Sequence, residues 1–523
     1  MQGKPYAGNP HVRFDEGAGA LRHSGRSALL YNKPILKSKL GLNTCVNITN
    51  TIQRKEWKTE KWSRRSFVRG GFAAAVALPT IVPRHVLGGS GYTAPSGCVT
   101  LGCVGIGGIG HDQIPRLANA GFQVVALCDV DDVYAKRTYD KFPQARRYRD
   151  FREMLTKEGD SIDAVYCGAP DHTHAFVTLA ALRAKKHVCC VKPLTRSMEE
   201  CYLVVEEARK AGVATQVTAT PCTSEYACRV CEIIASGILG DIVEAHAWTN
   251  RPIWPQGMPA YPSFTSQVPS TFDWNLWIGS AEMRPFADKW PEDNPLPRMC
   301  CTSAYERARA VYHPFNHRGW YDFGAGALGD MGCHQANTFY RALELGHPSR
   351  ISSTSSRTSD VAFPLASIVT YDYPKRGTFP ELRLVWYDGL LKPPAPKELN
   401  GRGLPKEGVL YVGTKATMLV GGLVEGIRIL DPALHAKAKT IPATLPRRGD
   451  IWREWLVACQ GGEKAGCNFD WAALITEFVL LGNLSVRTGR AVEFDPDTLH
   501  VPNNRDADAL LRLKYHNGWK LRI

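Results

Sequence analysis

Residues 99–110 read VTLGCVGIGGIG, a short apolar run that passes directly into a glycine-rich turn. The turn has G-x-G-x-x-G spacing, and a helix-like stretch follows it to residue 120. A second apolar run, 123–128, ends in Asp129, 19 residues past the last glycine. A strand, this turn, a helix and an acid at this distance form the context in which the motif indicates a dinucleotide-binding Rossmann unit.

Each part of this pattern has a physical task. Gly105 permits the tight turn, Gly107 lets the backbone approach a pyrophosphate, and Gly110 lets the helix pack closely on the strand. The N–H groups at the start of the helix, around Ile109, face the phosphates. Asp129 accepts hydrogen bonds from ribose hydroxyls and repels a 2′-phosphate, so the sequence predicts NAD rather than NADP as the cofactor.

Apolar runs and helical stretches continue to alternate along the next hundred residues. The pattern predicts strands at 164–167, 188–191 and 213–217, with helices at 172–184 and 197–211. Alternation of this kind indicates an α/β class fold with an N-terminal, doubly wound parallel sheet of the Rossmann type. From residue 351 strands dominate, and we predict them at 365–373, 381–387 and 408–412. Helices are predicted at 451–458 and 471–487.

Four short motifs follow the glycine-rich turn in a fixed order. They are GAPDHTH at 168–174, KHV at 186–188, VKPL at 191–194 and GALGDMGCH at 326–334. In order and spacing they resemble the glucose–fructose oxidoreductase/inositol dehydrogenase (Gfo/Idh/MocA) family, whose members carry P-N-x-x-H, K-H-V, E-K-P and D-x-x-x-H. The resemblance covers roughly residues 98–520. It implies that the second half is an α+β domain with a large, mostly antiparallel open sheet.

The resemblance also implies which residues carry the chemistry. It places Lys192 beside the nicotinamide and the substrate hydroxyl, Asp330 close to the same hydroxyl, and His334 as the general base. Pro170 and His174 would contact the cofactor. These roles suit hydride transfer from an alcohol. That reaction needs a base whose pKa lies near the working pH to accept the O–H proton, and a cation to stabilise the developing alkoxide charge.

Two positions depart from the family pattern. Val191 stands where the family has the glutamate before the lysine. The segment 218–222 reads TATPC, whereas the exported subgroup of the family, whose members carry a twin-arginine signal and which this chain resembles, is usually rich in Gly, Asn, Gln and His there. Both changes fall beside the expected nicotinamide site. They leave open an altered substrate, weakened catalysis or no catalysis at all.

A stretch rich in proline and aromatic residues runs from 250 to about 290. Such a segment can cover a sugar pocket, with aromatic rings stacked on the sugar, but it also suits a structural loop or an oligomer contact. The candidate substrate residues are Arg251, Trp254, Arg318 and Trp320. Asp330 and His334 have no third ligand that the sequence identifies, so we predict no metal site.

The chain before residue 98 has a different texture. Residues 63–69 read SRRSFVR and precede a short apolar run to residue 83, which resembles a twin-arginine export signal. We therefore predict four segments. Residues 1–62 are a disordered extension or result from a start codon assigned too far upstream, and residues 63–97 are a signal and linker. Residues 98–220 form an NAD-binding domain, and residues 221–523 form a substrate and oligomerisation domain. The Tat translocase would be a partner during export to the periplasm, with a membrane tether if the signal is not cleaved.

Charge and cysteine content bear on two further classes of protein, those that bind nucleic acid and those that bind metal through cysteines. The net charge is +14, but residues 1–97 hold fifteen Lys/Arg against four Asp/Glu, which leaves +3 for the rest. The basic excess thus belongs to the leader, and we predict no nucleic-acid partner. Sixteen cysteines are present, and pairs such as Cys228 and Cys231 lack the further ligands of a metal site. Buried free thiols are expected.

The sequence therefore predicts an exported NAD-dependent oxidoreductase that acts on a sugar, a polyol or a derivative. The family resemblance implies a homo-oligomer, a dimer or tetramer. Two alternatives remain open at this point. One is an enzyme that cycles bound NAD to cleave a glycosidic bond without net redox chemistry, and the other is a nucleotide- or sugar-binding protein without catalysis.

Overall fold

A computed structural model of the protein describes residues 98–219, 221–299, 309–357, 359–421 and 425–521. The predicted extension and export signal lie outside the described residues. Within them, the first half alternates strand and helix as the sequence predicts. Its elements are β1 (Val99–Val104), α1 (Gly108–Ala120), β2 (Phe122–Cys128), α2 (Asp132–Lys141), β3 (Arg146–Tyr148), α3 (Phe151–Glu158), β4 (Ala164–Cys167), α4 (His174–Arg183), β5 (His187–Val191), α5 (Met198–Ala211) and β6 (Thr215–Thr218).

The six strands form one parallel sheet in the order β3-β2-β1-β4-β5-β6. Its central strands are apolar on both faces because helices cover both, and all four residues of β4 are buried. Local signals set the boundaries. Ser197 caps α5 in a reciprocal capping box with Glu200, and a 3₁₀ turn at Asp171–Thr173 precedes α4 where one longer helix was predicted.

The second half contains a seven-stranded sheet in the order β13-β12-β11-β7-β10-β9-β8. Its pairs are antiparallel except β7 with β10. The elements are α6 (Glu225–Ala235), β7 (Ile242–Trp248), α7 (Trp274–Ile278), α8 (Leu296–Met299), α9 (Cys333–Leu343), β8 (Arg350–Ser355), β9 (Ser367–Tyr373), β10 (Leu382–Tyr387), β11 (Gly408–Gly413), β12 (Thr417–Gly421), β13 (Glu425–Ile429), α10 (Pro432–Ala438), α11 (Ile451–Cys459), α12 (Phe469–Thr488) and α13 (Arg505–Leu510).

The predicted fold class, a parallel Rossmann sheet followed by a mostly antiparallel sheet, is confirmed. The strand β7 is the largest difference from the sequence analysis, which predicted no strand between residues 218 and 350. Its sequence IVEAHAW alternates only weakly, yet the strand lies at the centre of the second sheet. Ala245 and Ala247 are completely buried toward the helices, and small side chains there let the helices pack closely.

The helix α12 is the core element of the second half. It packs against α5, α9 and strand β8, and thirteen of its twenty residues are buried. By length and composition it is also the one helix among the described residues that could cross a membrane, with a mean hydropathy of 1.3. Burial of 72% of that window within the protein accounts for its apolar character.

The chain returns to the first sheet near its end. Helix α11 packs on α1 and β6, and the backbone N–H of Val217 donates to the carbonyl of Cys467 just beyond it. Trp455 of α11 has no exposed surface and stacks on Phe122 of β2 with ring centroids 4.6 Å apart. One face of the nucleotide-binding half is thus completed by residues more than two hundred positions downstream.

We expect Trp455→Ala to destabilise the protein by about 3–5 kcal/mol, because it removes a large, fully buried ring from an interface that cannot close over the gap. Val457→Ala, on the same helix but 39% exposed, is the matched control and should change stability by less than about 1 kcal/mol. Urea unfolding followed by fluorescence measures both. Equal effects of the two substitutions would contradict this packing role.

Candidate active site

The candidate site lies where the parallel strands end. Strand order reverses between β1 and β4, which is the position where ligands bind in open parallel sheets. Gly105 follows β1, Pro170 lies in the loop after β4, and Lys192 follows β5 directly. The residues that the sequence analysis assigned to the cofactor therefore lie along one edge of the sheet.

The glycine-rich turn is packed too tightly for side chains. A Cβ on Gly105, whose φ is +72°, would lie 2.3 Å from the backbone nitrogen of Ala169. A Cβ on Gly110 would lie 2.3 Å from the carbonyl oxygen of Gly105. Helix α1 begins without a side-chain cap and without an acid in its first turn, so its end suits an anion such as a pyrophosphate.

Tyr134 of α2 covers the outer side of the same turn. A Cβ on Gly107 would lie 2.2 Å from Tyr134 Cδ1, and one on Gly108 would lie 2.4 Å from the Tyr134 hydroxyl oxygen. Ile109, the next residue, is 42% exposed at the start of α1. The glycine-rich turn is therefore held between the loop after β4 and the Tyr134 ring, and the start of α1 is exposed.

Asp129 ties the end of β2 to the glycine-rich turn. Its Oδ2 accepts hydrogen bonds from the backbone N–H groups of Ile106, at 2.8 Å, and Gly107, at 3.1 Å. Its Oδ1 accepts from the N–H of Asp131 at 3.1 Å. Burial raises the pKa of this carboxyl, and the three backbone N–H groups oppose that rise. Each oxygen retains acceptor capacity for a ribose hydroxyl.

The second half also reaches this end of the sheet. The N–H of Asp132 donates to the carbonyl of Thr271 at 3.0 Å, and the N–H of Asp273 donates to the carbonyl of Val130 at 2.8 Å. His313 Nε2 lies 3.1 Å from Asp131 Oδ2. A segment of the second half is thus paired with the chain directly after Asp129.

Lys192 and Asp330, 138 positions apart in sequence, form the centre of the candidate site. Lys192 Nζ donates to Asp330 Oδ1 at 2.6 Å and to the Asp330 carbonyl at 2.5 Å. Both side chains are mostly buried, with 15% and 13% exposed. Lys192 holds the pKa of Asp330 well below its usual range against the opposing effect of burial. The pair links the two halves of the molecule.

Asp330 lies on one turn of π-helix, Leu328–Gly332, that leads into α9. From their i, i+4 spacing in the D-x-x-x-H motif, an α-helix would carry Asp330 and His334 on one face. Glycines make the wider turn possible by close packing, since a Cβ on Gly332 would lie 2.8 Å from Val479 Cγ1 of α12. A π-turn redirects side chains relative to an α-helix, and such turns are frequent at functional sites.

His334 is the second residue of α9 and lines a cavity of about 590 Å³. The cavity is also bordered by α1, α11 and the segment after β6, through Gln113, Arg116, Asn119, Thr218, Pro221 and Asp450. Burial, and then the positive charge of Lys192, lowers the pKa of His334 to about 3, while Asp330 opposes the shift. The structure therefore brings His334, Lys192 and Asp330 within electrostatic reach of one another.

Two of the four predicted substrate residues border the same centre. Arg318 Nε lies 3.2 Å from Asp330 Oδ1, and Arg251 Nε lies 3.8 Å from Asp330 Oδ2. Trp254 and Trp320 differ from the prediction. Both indoles are buried, with 0% and 1% exposed, so neither offers a face for a sugar to stack on. They shape the loops from within, because aromatic rings of this segment pack together as an apolar cluster.

His174 also differs from the prediction of a cofactor contact. It has no exposed surface, and its two ring nitrogens each lie 2.8 Å from a backbone carbonyl, Nδ1 from that of Pro193 and Nε2 from that of Ala169. It thus holds the loops after β4 and β5 at a fixed separation. Pro170, in the loop after β4, remains partly exposed.

Three buried side chains beneath these loops come close enough to hold a metal ion. They are Cys167, His174 and Cys190, whose potential ligand atoms lie within 4.8 Å of one another. Cys190 and the charge of His174 lower the pKa of the Cys167 thiol to about 7 against the effect of burial. Both nitrogens of His174 already face carbonyl oxygens, so ligation would break one of these contacts. The sequence pattern gave no signal for this group.

Val191 packs on the opposite side of β5 from Cys190. It belongs to the apolar cluster that also contains Trp452, Trp455 and Ile114, between the sheet and helices α1 and α11. The departure from the family motif therefore places a buried apolar side chain directly before Lys192, and Lys192 contacts Asp330 in its presence.

Comparison with known proteins assigns the first half. Residues 99–219 match the model of an oxidoreductase family, GFO_IDH_MocA, described as an NAD-binding Rossmann fold. The predicted NAD cofactor and the predicted Rossmann half are confirmed by this match, and the glycine turn, the uncapped helix and Asp129 fit NAD. The family model covers less than a quarter of the chain, and the match concerns the NAD-binding part alone.

Individual relatives give the same result. Inositol 2-dehydrogenase of Salmonella typhimurium is 39% identical over 114 residues, which is 21% of this chain and 33% of the relative. Inositol 2-dehydrogenase of Acidothermus cellulolyticus is 30% identical over 194 residues, 36% of this chain and 55% of the relative. The match thus spans between a third and about half of the length of these curated relatives.

The fold as a whole resembles solved dehydrogenases. The WlbA dehydrogenase from Bordetella pertussis, solved in complex with NADH and UDP-GlcNAcA, superposes with a TM-score of 0.52. The likeness covers 76% of this chain and 99% of that protein at 15% sequence identity. At 15% sequence identity, the likeness shows a similar fold, that is, a similar arrangement of the two sheets.

We expect Asp129→Asn to weaken NAD binding by at least about tenfold, because it removes the charge and one of two acceptor oxygens beside the ribose. Binding of NADP should weaken less, so the preference for NAD should narrow. Fluorescence titration with NADH and NADPH measures both affinities. The nearby Asp132→Asn is a matched control and should leave the preference intact. Equal affinity of the unmutated protein for both cofactors would contradict this role of Asp129.

Proposed function

We propose that the protein is an NAD-dependent oxidoreductase that acts on a CH–OH group of a sugar, a polyol or a derivative. The observation that carries this proposal is the Lys192–Asp330 contact at the carboxyl end of the NAD-binding sheet, with His334 four residues beyond Asp330 at the start of α9. Lys192 belongs to the first half of the molecule, and Asp330 and His334 belong to the second half. A lysine, a carboxylate and an imidazole beside the nicotinamide end supply the groups that alcohol oxidation requires.

Each residue has a separate task in this proposal. NAD, when bound, accepts hydride from the alcohol carbon. Two of the three donors on the Lys192 ammonium are used by Asp330, and the third points to the substrate oxygen and stabilises negative charge there. Asp330 holds the ammonium in position. His334 takes the hydroxyl proton in its neutral form; burial lowers its pKa to about 3, which keeps the imidazole neutral and also makes it a weak base in the protein without ligand.

One observation favours a second candidate, an enzyme that keeps NAD bound and performs no net redox chemistry. The segment around Asp273 pairs with the chain directly after Asp129, and His313 contacts Asp131. These contacts would slow release of the adenosine end of NAD. A transient oxidation followed by return of the hydride would then suit the site, with glycosidic cleavage as the overall reaction.

The two candidates are tested together by substitution. We expect His334→Ala to slow the chemical step about 10²–10⁴-fold, the usual contribution of a positioned base, with cofactor affinity nearly unchanged. Lys192→Ala should slow the same step, and the double substitution should cost less than the sum because both residues act on one proton transfer. NADH absorbance over a sugar panel measures the rate of net oxidation, and analysis of the sugar products measures cleavage that forms no NADH.

The matched control is His500→Ala, which removes an exposed histidine paired with Asp508. It should leave turnover unchanged. The proposed roles fail if a confirmed substrate is converted at wild-type rates by both the His334→Ala and the Lys192→Ala proteins. Retained NADH affinity in each variant excludes loss of the fold as the cause of a slow rate.

We further propose that the protein is exported by the twin-arginine route and assembles as a dimer or tetramer. The pair Arg64-Arg65, the phenylalanine at 67 and the apolar run after it support export, and the large open sheet of the second half offers a surface for assembly.

A reporter fused after residue 97 should leave the cytoplasm, because twin arginines before a weakly apolar run address the Tat translocase. Replacing Arg64 and Arg65 with lysines should retain the reporter in the cytoplasm. Cell fractionation measures the distribution, and replacing Arg54 with lysine is the control. A reporter whose location does not respond to the arginine pair would count against this route.

A further inference from the structure

Positive charge converges on a single carboxylate at the candidate site. Within 4 Å of the Asp330 carboxylate lie Lys192 Nζ at 2.6 Å, Arg318 Nε at 3.2 Å and Arg251 Nε at 3.8 Å. The remaining acid in contact is Glu407, whose Oε1 lies 4.0 Å from Arg251 Nη1. Within the described part of the chain, three cations thus meet two carboxylates, and all five side chains are at least three-quarters buried.

Both arginines are fixed in place while part of each guanidinium stays uncommitted. Nε and Nη1 of Arg318 contact Asp330 and the carbonyl of Phe315, and the guanidinium lies 4.5 Å from the Phe315 ring. Nε and Nη1 of Arg251 face Asp330, Asn250 and Glu407. Among the residues that the structure describes, no hydrogen bond or ion pair involves Nη2 of either arginine.

This arrangement is costly unless another group completes it. A partly buried cation that lacks an anion loses hydration without full compensation, and like charges held close together repel. Guanidinium N–H groups bind planar or tetrahedral oxyanions most strongly, and pre-positioned arginines lose little side-chain entropy on binding. The side chains of Arg251 and Arg318 are 23% and 19% exposed, so a ligand can reach them.

We propose that the substrate of this site carries an anionic group, a carboxylate or a phosphate, and that this group binds to the Nη2 donors of Arg251 and Arg318. The inference rests on the proposed function, since it concerns the substrate that Lys192 and His334 would act on. It assigns specificity to the two arginines: they would select acidic sugars or sugar phosphates over neutral sugars and polyols of the same shape.

An anion at this position also improves the proposed base. Burial and then the positive charges of Lys192 and Arg251 act to lower the pKa of His334. A negative group seated between the arginines offsets part of that positive charge and so raises the pKa of His334 toward the working range. The histidine would become a stronger base when the acidic substrate is present, and a neutral analogue would not produce this change.

The test uses the full-length protein saturated with NADH and titrates matched ligands by calorimetry. The ligands are glucose, galactose and mannose, with the uronate and the 6-phosphate of each. We expect at least one anionic member to bind about tenfold or more tightly than its neutral parent. Arg318→Gln and Arg251→Gln should each weaken binding of that member about 10–100-fold, the effect of losing a charge-assisted hydrogen bond, with little change for the neutral parent.

Arg383→Gln, which removes an exposed arginine of the second sheet paired with Asp372, is the matched control and should change no affinity. NADH affinity and thermal unfolding identify variants that remain folded. If a glutamine variant fails to fold, Arg318→Lys replaces it: the charge is kept, the planar donor pair is lost, and binding should weaken by an intermediate amount. Whether the uronate or the phosphate binds identifies the source of the anion.

Three results would overturn the inference. They are neutral sugars that bind as tightly as their anionic counterparts, glutamine variants that retain full affinity for the anion, and no binding by any anionic member. These are separable from failure of the proposed function. NADH formation with neutral sugars alone refutes the inference and keeps the oxidoreductase, whereas tight anion binding with neither NADH formation nor cleavage supports the inference and refutes the catalysis.

Discussion

The contact between Lys192 and Asp330 is the interaction on which the candidate site depends. The lysine ends a strand of the NAD-binding sheet, and the aspartate lies on a π-turn of the other half. With the charges 2.6 Å apart and largely out of water, the pair fixes how the π-turn and α9 meet the nucleotide-binding edge. Removing Asp330 would leave the Lys192 ammonium buried without its carboxylate, whereas removing Lys192 would leave Asp330 with Arg251 and Arg318 as its cations. The positions of His334, Arg251 and Arg318 are all defined relative to this contact.

The side chains at this centre are mostly charged. Trp254 and Trp320 are buried in the packing of the loops, and the groups around Lys192 are Asp330, Arg251, Arg318 and Glu407. Trp320 donates its indole N–H to the carbonyl of Val311, inside the cluster. Trp254 and Trp320 therefore provide no stacking face at this centre.

Much of the fold could be predicted from the sequence because its signals are local. The glycine turn, the acid after β2 and the apolar runs of the parallel strands each predict their own structure, and they are correct to within a few residues. Three features could not be predicted in this way. β7 has too weak an alternation, the π-turn depends on packing of Gly332 against α12, and the burial of Trp254, Trp320 and His174 depends on contacts with distant segments. For the site, motif order predicted that Lys192, Asp330 and His334 would meet. It gave no information on how many cations would share one carboxylate, because that number depends on loops from different parts of the chain.

The return of α11 to the first sheet has a consequence for how the molecule is made. The face of the nucleotide-binding half that needs Trp455 stays bare until the ribosome has completed nearly the whole second half. Until then the apolar sheet surface around Phe122 is exposed to other chains and to chaperones, which recognise such surfaces. Synthesis order and assembly order therefore differ: the first half to emerge is the last to be finished. A polypeptide cut after the sixth strand would contain every cofactor motif and still lack one wall of the domain that presents them.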